Sequence, residues 1–334
     1  MPVVRSGNIK TIALILVLTI LCIPQMQLPL LSAGDAYETK LNEFSKYYST
    51  EVRTHLEFFA SRGSRVVGYP GYYESVNYIV ESLKSYGYDV YVENFTVTVP
   101  IDYGSYVEIL SPYHKVIKAY ALVPNLVETC YTPNGITAEL VYIGHGKEEM
   151  NGKDIDNKIV VMEFDSGYEW MRAISLGAKA IIFVVNPLSG SVTQIEAADK
   201  FSELPIYAPR LAVDWNDFKD ILSELDAGER VKAKIVVNMT FENVAAYNII
   251  ALKKGSKYSD EVVALTAYFD SWSVAPAWSP GADEALGISS LLAIAKLFKD
   301  EKPLRTVAFI AFSGHHQALA GAREFAFSLS LIHI

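Results

Sequence analysis

The chain has 334 residues, 51% of them hydrophobic, and a formal net charge of −9 at pH 7. This length and apolar content are enough to bury a sizeable core and favour two domains. The acidic balance and the absence of lysine- or arginine-rich runs argue against a nucleic-acid-binding protein.

The amino-terminal segment has the pattern of an export signal. Two basic residues precede an almost unbroken apolar run over residues 11–24, and a small-residue cleavage pattern follows at 31–33. This arrangement is typical of a secretory signal peptide. The run is short for a membrane span, although residues 26–31 extend it. We therefore expect an exported protein, extracellular or membrane-anchored facing outside, and the sequence leaves cleavage or anchoring of residues 1–33 open.

Two helical patterns and a strand pattern follow this segment. Apolar residues recur at helical intervals over residues 36–62 and 72–86, and the loop between them contains Arg65, for which we expect a structural role. Residues 88–99 alternate as a strand does and are expected to stop at Pro100.

The pattern changes from about residue 117 to 237. Short β-rich runs separated by turns cover residues 138–144, 158–164 and 180–185. A longer strand pattern then covers residues 243–254. The change in pattern indicates a second structural unit in the middle of the chain.

The last third of the chain reads as strand, helix, strand. Residues 262–269 and 306–312 are β-rich apolar runs that end on polar residues, and apolar residues between them recur at helical spacing. In an open parallel sheet the ligand site lies just outside the carboxyl ends of the strands. This rule predicts one crevice around four side chains: Asp270, Asp283, His315 and His316.

Three motifs in this part resemble those of the co-catalytic zinc aminopeptidases, the family of glutamate carboxypeptidase and the transferrin receptor. The chain has AYFDS at 267–271, PGADEALG at 280–287 and GHHQALAG at 314–321. The family has roughly A-H-x-D-S, G-A-x-D-x-x-S-G and A-E-E-x-G-L-x-G-S in the same order. The resemblance implies an α/β fold with a mixed, mainly parallel sheet and helices on both faces, and zinc-dependent hydrolysis of peptides.

The first two motifs match the family's chemistry only in part. Tyr268 occupies the position of a zinc-binding histidine, and a neutral phenol is a poor substitute. Asp270 matches the carboxylate that orients that histidine. Asp283 matches the carboxylate that bridges the two metals, with Glu284 as the alternative if the loop is shifted by one. Both aspartates are also common as plain turn and helix-start residues.

The third motif carries two further substitutions. His315 replaces the glutamate that acts as general base, and it lacks the carboxylate geometry that activates a bridging water. His316 replaces a metal-binding glutamate, and an imidazole can itself bind zinc. A His-His pair at the end of a strand is also found as a plain polar loop.

The middle unit resembles a protease-associated domain, which is inserted in many members of this family. Residues 152–161 and 172–182 match its usual phrases, with Asn157 in place of a glycine. Such inserts cover the active site or dock partners. The resemblance divides the chain into an insert at 117–237 and two flanking parts of the peptidase domain at 34–116 and 238–328.

The family's peptidase domain continues past the third motif, with further strands and two more metal ligands. Residues 329–334 resemble a translated sequencing adapter. We therefore expect the second peptidase part to be incomplete and the last six residues to be a non-native tail.

Three functions remain open at this stage. The first is an exported zinc exopeptidase that acts on extracellular peptides, with impaired or lost catalysis and with zinc incompletely bound or absent. The second is a non-catalytic, receptor-like ectodomain that binds a protein partner, and a homodimer is compatible with either. The third is a rewired site with a single metal held by Asp283 and His316.

Overall fold

A computed structural model describes residues 33–186, residue 192 and residues 195–328. Residues up to Tyr47 and residues from Tyr48 onward form two separate units, and both sheets and the site lie in the second. The export signal and the non-native tail predicted from the sequence fall on residues outside the described ones. Within the described part, no helix has the length and apolar character needed to cross a membrane.

The positions of the helices and strands agree closely with the sequence patterns. The helices are α1 (Ala33–Ala60), α2 (Pro70–Ser85), α3 (Glu169–Ser175), α4 (Trp215–Asp226), α5 (Ala285–Phe298) and α6 (Ala320–Ser328). The strands are β1 (Asp89–Asp102), β2 (Tyr106–Ser111), β3 (Lys115–Lys118), β4 (Tyr120–Ala121), β5 (Ile136–Tyr142), β6 (Ile159–Glu163), β7 (Ala180–Val185), β8 (Arg210–Asp214), β9 (Lys232–Val236), β10 (Met239–Lys253), β11 (Tyr258–Tyr268) and β12 (Arg305–Phe312).

Four of the described strands form one mixed sheet in the order β1-β10-β12-β11. Strand β10 runs antiparallel to both β1 and β12, whereas β11 and β12 are parallel. The strand patterns on either side of residues 117–237 therefore lie in one sheet, and none of the described strands between residues 117 and 237 joins them.

Helices cover both faces of this mixed sheet, as expected. On one face α2 and α5 pack on the strands, and their apolar side chains close a core that includes Leu83, Leu292 and Phe309. On the other face α6 packs against β10 and β1, where Phe325 covers Ile310. The mixed α/β fold predicted from the sequence is confirmed.

The remaining described strands form an eight-stranded sheet in the order β3-β2-β9-β5-β6-β7-β8-β4. Its centre, from β5 to β8, is parallel. All six residues of β7 are buried, as expected for a central parallel strand covered on both faces. The sheet begins at Tyr106, ahead of the boundary expected near residue 117, and the protease-associated assignment stays a prediction.

Two local features bear on the sequence predictions. Pro100 does not end β1, contrary to expectation, because β1 continues to Asp102 and Pro100 pairs with Phe241. Strand β1 lies at the edge of the sheet, where a proline is tolerated because one side of the strand needs no backbone donor.

Asn157 has a φ of 60°, so the turn keeps a left-handed conformation, which asparagine adopts more readily than most residues.

Buried His55 makes the stability of the fold dependent on pH. Its Nδ1 lies 2.7 Å from the hydroxyl oxygen of Tyr78. Burial lowers the pKa of His55 from 6.5 to about 4, and nearby Glu51 offsets only part of that change. Between these pH values the folded chain binds fewer protons than the unfolded chain, so the free energy of unfolding falls as pH drops through this window.

We expect His55→Gln to remove this pH dependence. Between pH 7.5 and 4 the unmodified chain should lose about 3 kcal/mol of unfolding free energy that the variant keeps. Urea unfolding of both proteins at several pH values measures the difference. Parallel pH profiles for the two proteins would contradict the burial effect.

Candidate functional site

The site lies where the two parallel strands of the mixed sheet end. Tyr268, the last residue of β11, is in register with Phe312, the last residue of β12. The residues that follow both strands therefore emerge at the same edge of the sheet, as the parallel-sheet rule predicts. The structure brings together Tyr268, Asp270, His315 and His316 at this edge.

The rings of Tyr268 and His315 form the centre of the cluster. Their centroids are 3.9 Å apart and their planes differ by 14°, so the rings are stacked face to face. These are the positions of a zinc-binding histidine and of a general base in the motifs. In this chain the two side chains pack on each other instead.

His316 packs edge-on against the same stack. Its ring centroid lies 5.9 Å from that of Tyr268 and 4.9 Å from that of His315, at interplanar angles of 87° and 81°. Desolvation, with a smaller contribution from His315, lowers the pKa of His316 to about 4, although part of the side chain remains exposed. The imidazole of His316 is therefore neutral at physiological pH and retains a lone pair for a ligand.

Asp270 contacts the backbone of the third motif. Its side chain is fully buried, and Oδ2 accepts a hydrogen bond of 3.0 Å from the backbone N–H of His315. Oδ1 has no hydrogen-bond partner among the described residues. Burial raises the pKa of Asp270 from 3.8 to about 7. Hydrogen bonds from backbone N–H groups lower this pKa and offset only part of the increase. Asp270 thus supports the His315 loop, whereas the motif assigns it to the ring at position 268.

Arg65 supports the site from beneath and has the structural role expected of it. Its guanidinium is buried and donates to the backbone carbonyls of Phe59, Phe269, Pro280 and Gly281. Burial lowers its pKa to about 10, so it remains charged at neutral pH. One side chain therefore joins the end of α1, the end of β11 and the turn before α5.

The two acidic residues of the second motif differ in their surroundings. Asp283 is exposed, whereas Glu284 is half-buried. Burial has the largest effect on both neighbouring groups, because it lowers the pKa of Arg65 and raises the pKa of Tyr268. The negative charge of Glu284 has a smaller effect and raises the pKa of both. Glu284, the alternative reading of this motif, is therefore the carboxylate closer to the crevice.

The segment after Asp270 is also held by the second sheet. The backbone N–H of Val123 donates to the carbonyl of Val274 over 2.7 Å, and Val274 donates to the carbonyl of Val192 over 3.1 Å. The rings of Tyr120 and Trp278 pack with centroids 4.9 Å apart. Residues of the eight-stranded sheet and its loops therefore hold the chain segment between Asp270 and the turn before α5.

These residues do not fit a pair of zinc ions. In the described parts of the chain, no group of three or more histidine, cysteine, aspartate or glutamate side chains is placed to hold a metal. A zinc ion in a catalytic site needs three protein ligands. Tyr268 does not compensate, because burial followed by the charge of Glu284 raises its phenol pKa and keeps the proton on the oxygen.

A small pocket lies beside the stack. It has a volume of about 190 Å³ and is lined by eight residues: Thr266, Ala267, Tyr268, Phe312, Ser313, His315, Leu319 and Ala322. Pockets that enclose a drug-sized ligand are typically larger, about 300–1,000 Å³. The described residues alone therefore provide room for little more than a single side chain.

Sequence reasoning missed two residues of the site. Trp272 lies with its ring centroid 6.5 Å from that of His316. Asn248 is fully buried and bonds to the ends of the His315 loop. A polar residue within the apolar strand sequence VAAYNIIAL was the signal that could have identified Asn248.

Comparison with known proteins finds sequence relatives among peptidases. Residues 248–331 match the model of peptidase family M28. The chain is 28% identical over 280 residues to "Probable leucine aminopeptidase 2" of Aspergillus fumigatus, covering 80% of the chain and 51% of that relative. It is 27% identical over 201 residues to "Aminopeptidase YwaD" of Bacillus subtilis, covering 59% of the chain and 41% of that relative. The chain thus spans about half the length of the curated relatives it matches.

Solved structures share the fold. A zinc aminopeptidase from Bacillus subtilis superposes with a TM-score of 0.57 at 21% identity, covering 85% of this chain and 66% of that one. A peptidase M28 precursor from Shewanella amazonensis SB2B gives a TM-score of 0.55 at 21% identity, covering 88% and 71%. The match to the family model thus covers residues 248–331, and the solved structures show that the fold is shared. Its homologues are zinc aminopeptidases and metalloproteases.

Proposed function

We propose that this protein is an exported member of the zinc aminopeptidase family in which peptide hydrolysis is impaired or lost. The observation that carries the proposal is the stack of Tyr268 on His315, with centroids 3.9 Å apart. The stack occupies the two positions where the motifs have a metal ligand and a general base. Zinc is then incompletely bound or absent, and the crevice packs its own aromatic rings together.

The magnitude of the loss follows from the missing groups. Removal of a general base typically lowers the rate of a reaction by a factor of about 10²–10⁴. The loss of a ligand at position 268 weakens metal binding in addition, because a half-buried, protonated phenol is a poor replacement for imidazole. The missing base at position 315 and the missing ligand at position 268 each lower the rate of hydrolysis, and together they remove most of the catalytic activity.

A receptor-like ectodomain is the second candidate. Two neighbouring loops of the eight-stranded sheet unit, joined by a 3.0 Å hydrogen bond from the N–H of Leu126 to the carbonyl of Ser202, expose large apolar side chains. Val127 is 70% exposed, Leu204 62% and Tyr207 57%. Exposed apolar groups in proximity are typical of protein-binding surfaces. Binding of an extracellular protein partner would use this surface and would not depend on catalytic activity.

Turnover of unblocked amino-acid amides tests the proposed loss of catalysis. We expect the full-length protein, supplied with zinc, to release amino acid no faster than the same protein with a chelator. The chelated sample is the matched control for uncatalysed hydrolysis. Zinc-dependent turnover on the order of 1–10³ per second would show that the protein is a working peptidase.

A further inference from the structure

We propose that Asn248 is a positioning residue that closes the loop from Ser313 to Gly321 and thereby places the rings of His315 and His316. The proposal concerns the geometry of the site and goes beyond the question of whether the site hydrolyses peptides. It rests on hydrogen bonds from one buried side chain of β10 to both ends of the loop.

The amide of Asn248 is buried and uses both of its ends. Nδ2 donates over 2.8 Å to the carbonyl of Gly321, and Oδ1 accepts from the backbone N–H of Ser313 over 3.4 Å. Nδ2 also donates over 2.8 Å to Oε2 of Glu93 on the neighbouring strand β1. The carboxylate of Glu93 fixes the orientation of the amide, because a flipped amide would place its oxygen against another oxygen.

The ends of the loop also bond to each other. The N–H of Gly321 donates to the carbonyl of Ser313 over 3.0 Å, and the hydroxyl of Tyr72 donates to Oγ of Ser313 over 2.9 Å. A side chain at Gly321 would overlap with Oδ1 of Asn248 and with the carbonyl of Ser313. The close approach of the two ends therefore requires glycine at this position.

The same network also reaches the far end of α6. Oε1 of Glu93 accepts a hydrogen bond from the hydroxyl of Ser328, the last residue of this helix. Gly321, bonded to Asn248, lies at the start of α6. Strands β1 and β10 thus hold α6 at both ends, and the loop that precedes the helix cannot shift along the sheet without breaking these bonds.

This closure determines where the imidazoles lie. His315 follows Ser313 by two residues, and its N–H is held by Asp270 over 3.0 Å. With the backbone fixed on both sides, the ring of His315 is held against Tyr268. Loss of the amide of Asn248 frees the two ends of the loop, and the stack should loosen while the rest of the sheet remains paired.

Proton NMR of the histidine rings tests this role directly. The chain has six histidines, so their ring signals can be assigned by single substitutions. In the unmodified protein, the ring current of stacked Tyr268 should displace the His315 signals upfield, and Tyr268→Leu should abolish that displacement. Asn248→Asp, which has the same shape but replaces the donor with an acceptor, should abolish most of it as well.

Asn125→Asp is the matched control. Asn125 is also fully buried and bridges two loops, donating from Nδ2 to the carbonyl of Ile206 over 2.7 Å and accepting at Oδ1 from the N–H of Ser202 over 2.9 Å. Its substitution removes an equivalent amide from the eight-stranded sheet unit. The His315 signals should keep their displacement in this variant, although the protein is destabilised.

The results distinguish positioning from general destabilisation. If His315 keeps its displacement in Asn248→Asp, or loses it equally in Asn125→Asp, the proposal is wrong. If circular dichroism shows that Asn248→Asp does not fold, Gly321→Ala carries the same test, because it retains the amide and separates the loop ends by steric overlap. Zinc and turnover measurements play no part in this result, so its failure would leave the proposed function untouched.

Discussion

Replacement of Tyr268 by histidine together with His315 by glutamate is expected to increase zinc-dependent amide hydrolysis by a factor on the order of 10²–10⁴ over the unmodified protein, provided that the full-length protein supplies the two further metal ligands that the family resemblance implies. The first change supplies an imidazole ligand beside Asp270, which then has a ring to orient. The second supplies a carboxylate base and removes the stacked ring. Release of amino acid from unblocked amides, with zinc in excess, measures the effect.

The two single variants serve as controls for the double change. Tyr268→His alone should improve zinc binding with little gain in rate, because the general base is still missing. His315→Glu alone should give little gain because the ligand is still missing. If the double variant binds no more zinc and hydrolyses no faster than the unmodified protein, the assignment of these two positions is wrong.

Replacement of Arg65 by methionine is expected to lower the free energy of unfolding by about 2–6 kcal/mol. The substitution keeps much of the apolar stem but removes the guanidinium that donates to four backbone carbonyls. The carbonyls of Phe59 and Gly281 still accept from the N–H groups of Arg62 and Ala285, whereas those of Phe269 and Pro280 are left without a donor among the described residues. Each buried group left unsatisfied costs about 1–3 kcal/mol. Because the four carbonyls belong to three separate segments, the loss should extend to the whole mixed-sheet unit.

Arg62→Met provides the matched control three residues away. Arg62 is partly exposed, pairs with Glu74 over 2.8 Å and lies over the ring of Phe58. Such surface ion pairs contribute about 0–1 kcal/mol. Urea unfolding of both variants should show a large loss for Arg65 and a small one for Arg62. Equal losses would show that the buried guanidinium has no special structural role.

Much of the fold could be predicted from the sequence because periodicity reports burial. The β-rich runs that end at Tyr268 and Phe312 and the helical spacing between them predict a parallel strand pair with a crossover helix. The order and spacing of the three motifs then identify the kind of sheet to which the pair belongs. Pro100 was misread because the sequence alone does not reveal that β1 is an edge strand.

The geometry of the site depends on contacts that no local pattern encodes. The motifs identify Tyr268 and His315 as substituted positions, but they do not show that the two rings stack on each other. Asn248 lies far from the loop in sequence and reaches it only because β10 pairs with β12. The choice between Asp283 and Glu284 likewise requires the turn before α5 in three dimensions.

Metal analysis of the purified full-length protein after equilibration with zinc tests the central claim most directly. If the stack of Tyr268 and His315 has replaced the co-catalytic site, the protein should hold less than one tightly bound zinc ion per chain. One bound metal per chain would favour a rewired site that uses His316. Two zinc ions per chain would contradict the account, because the crevice would then still form the metal centre of a working peptidase.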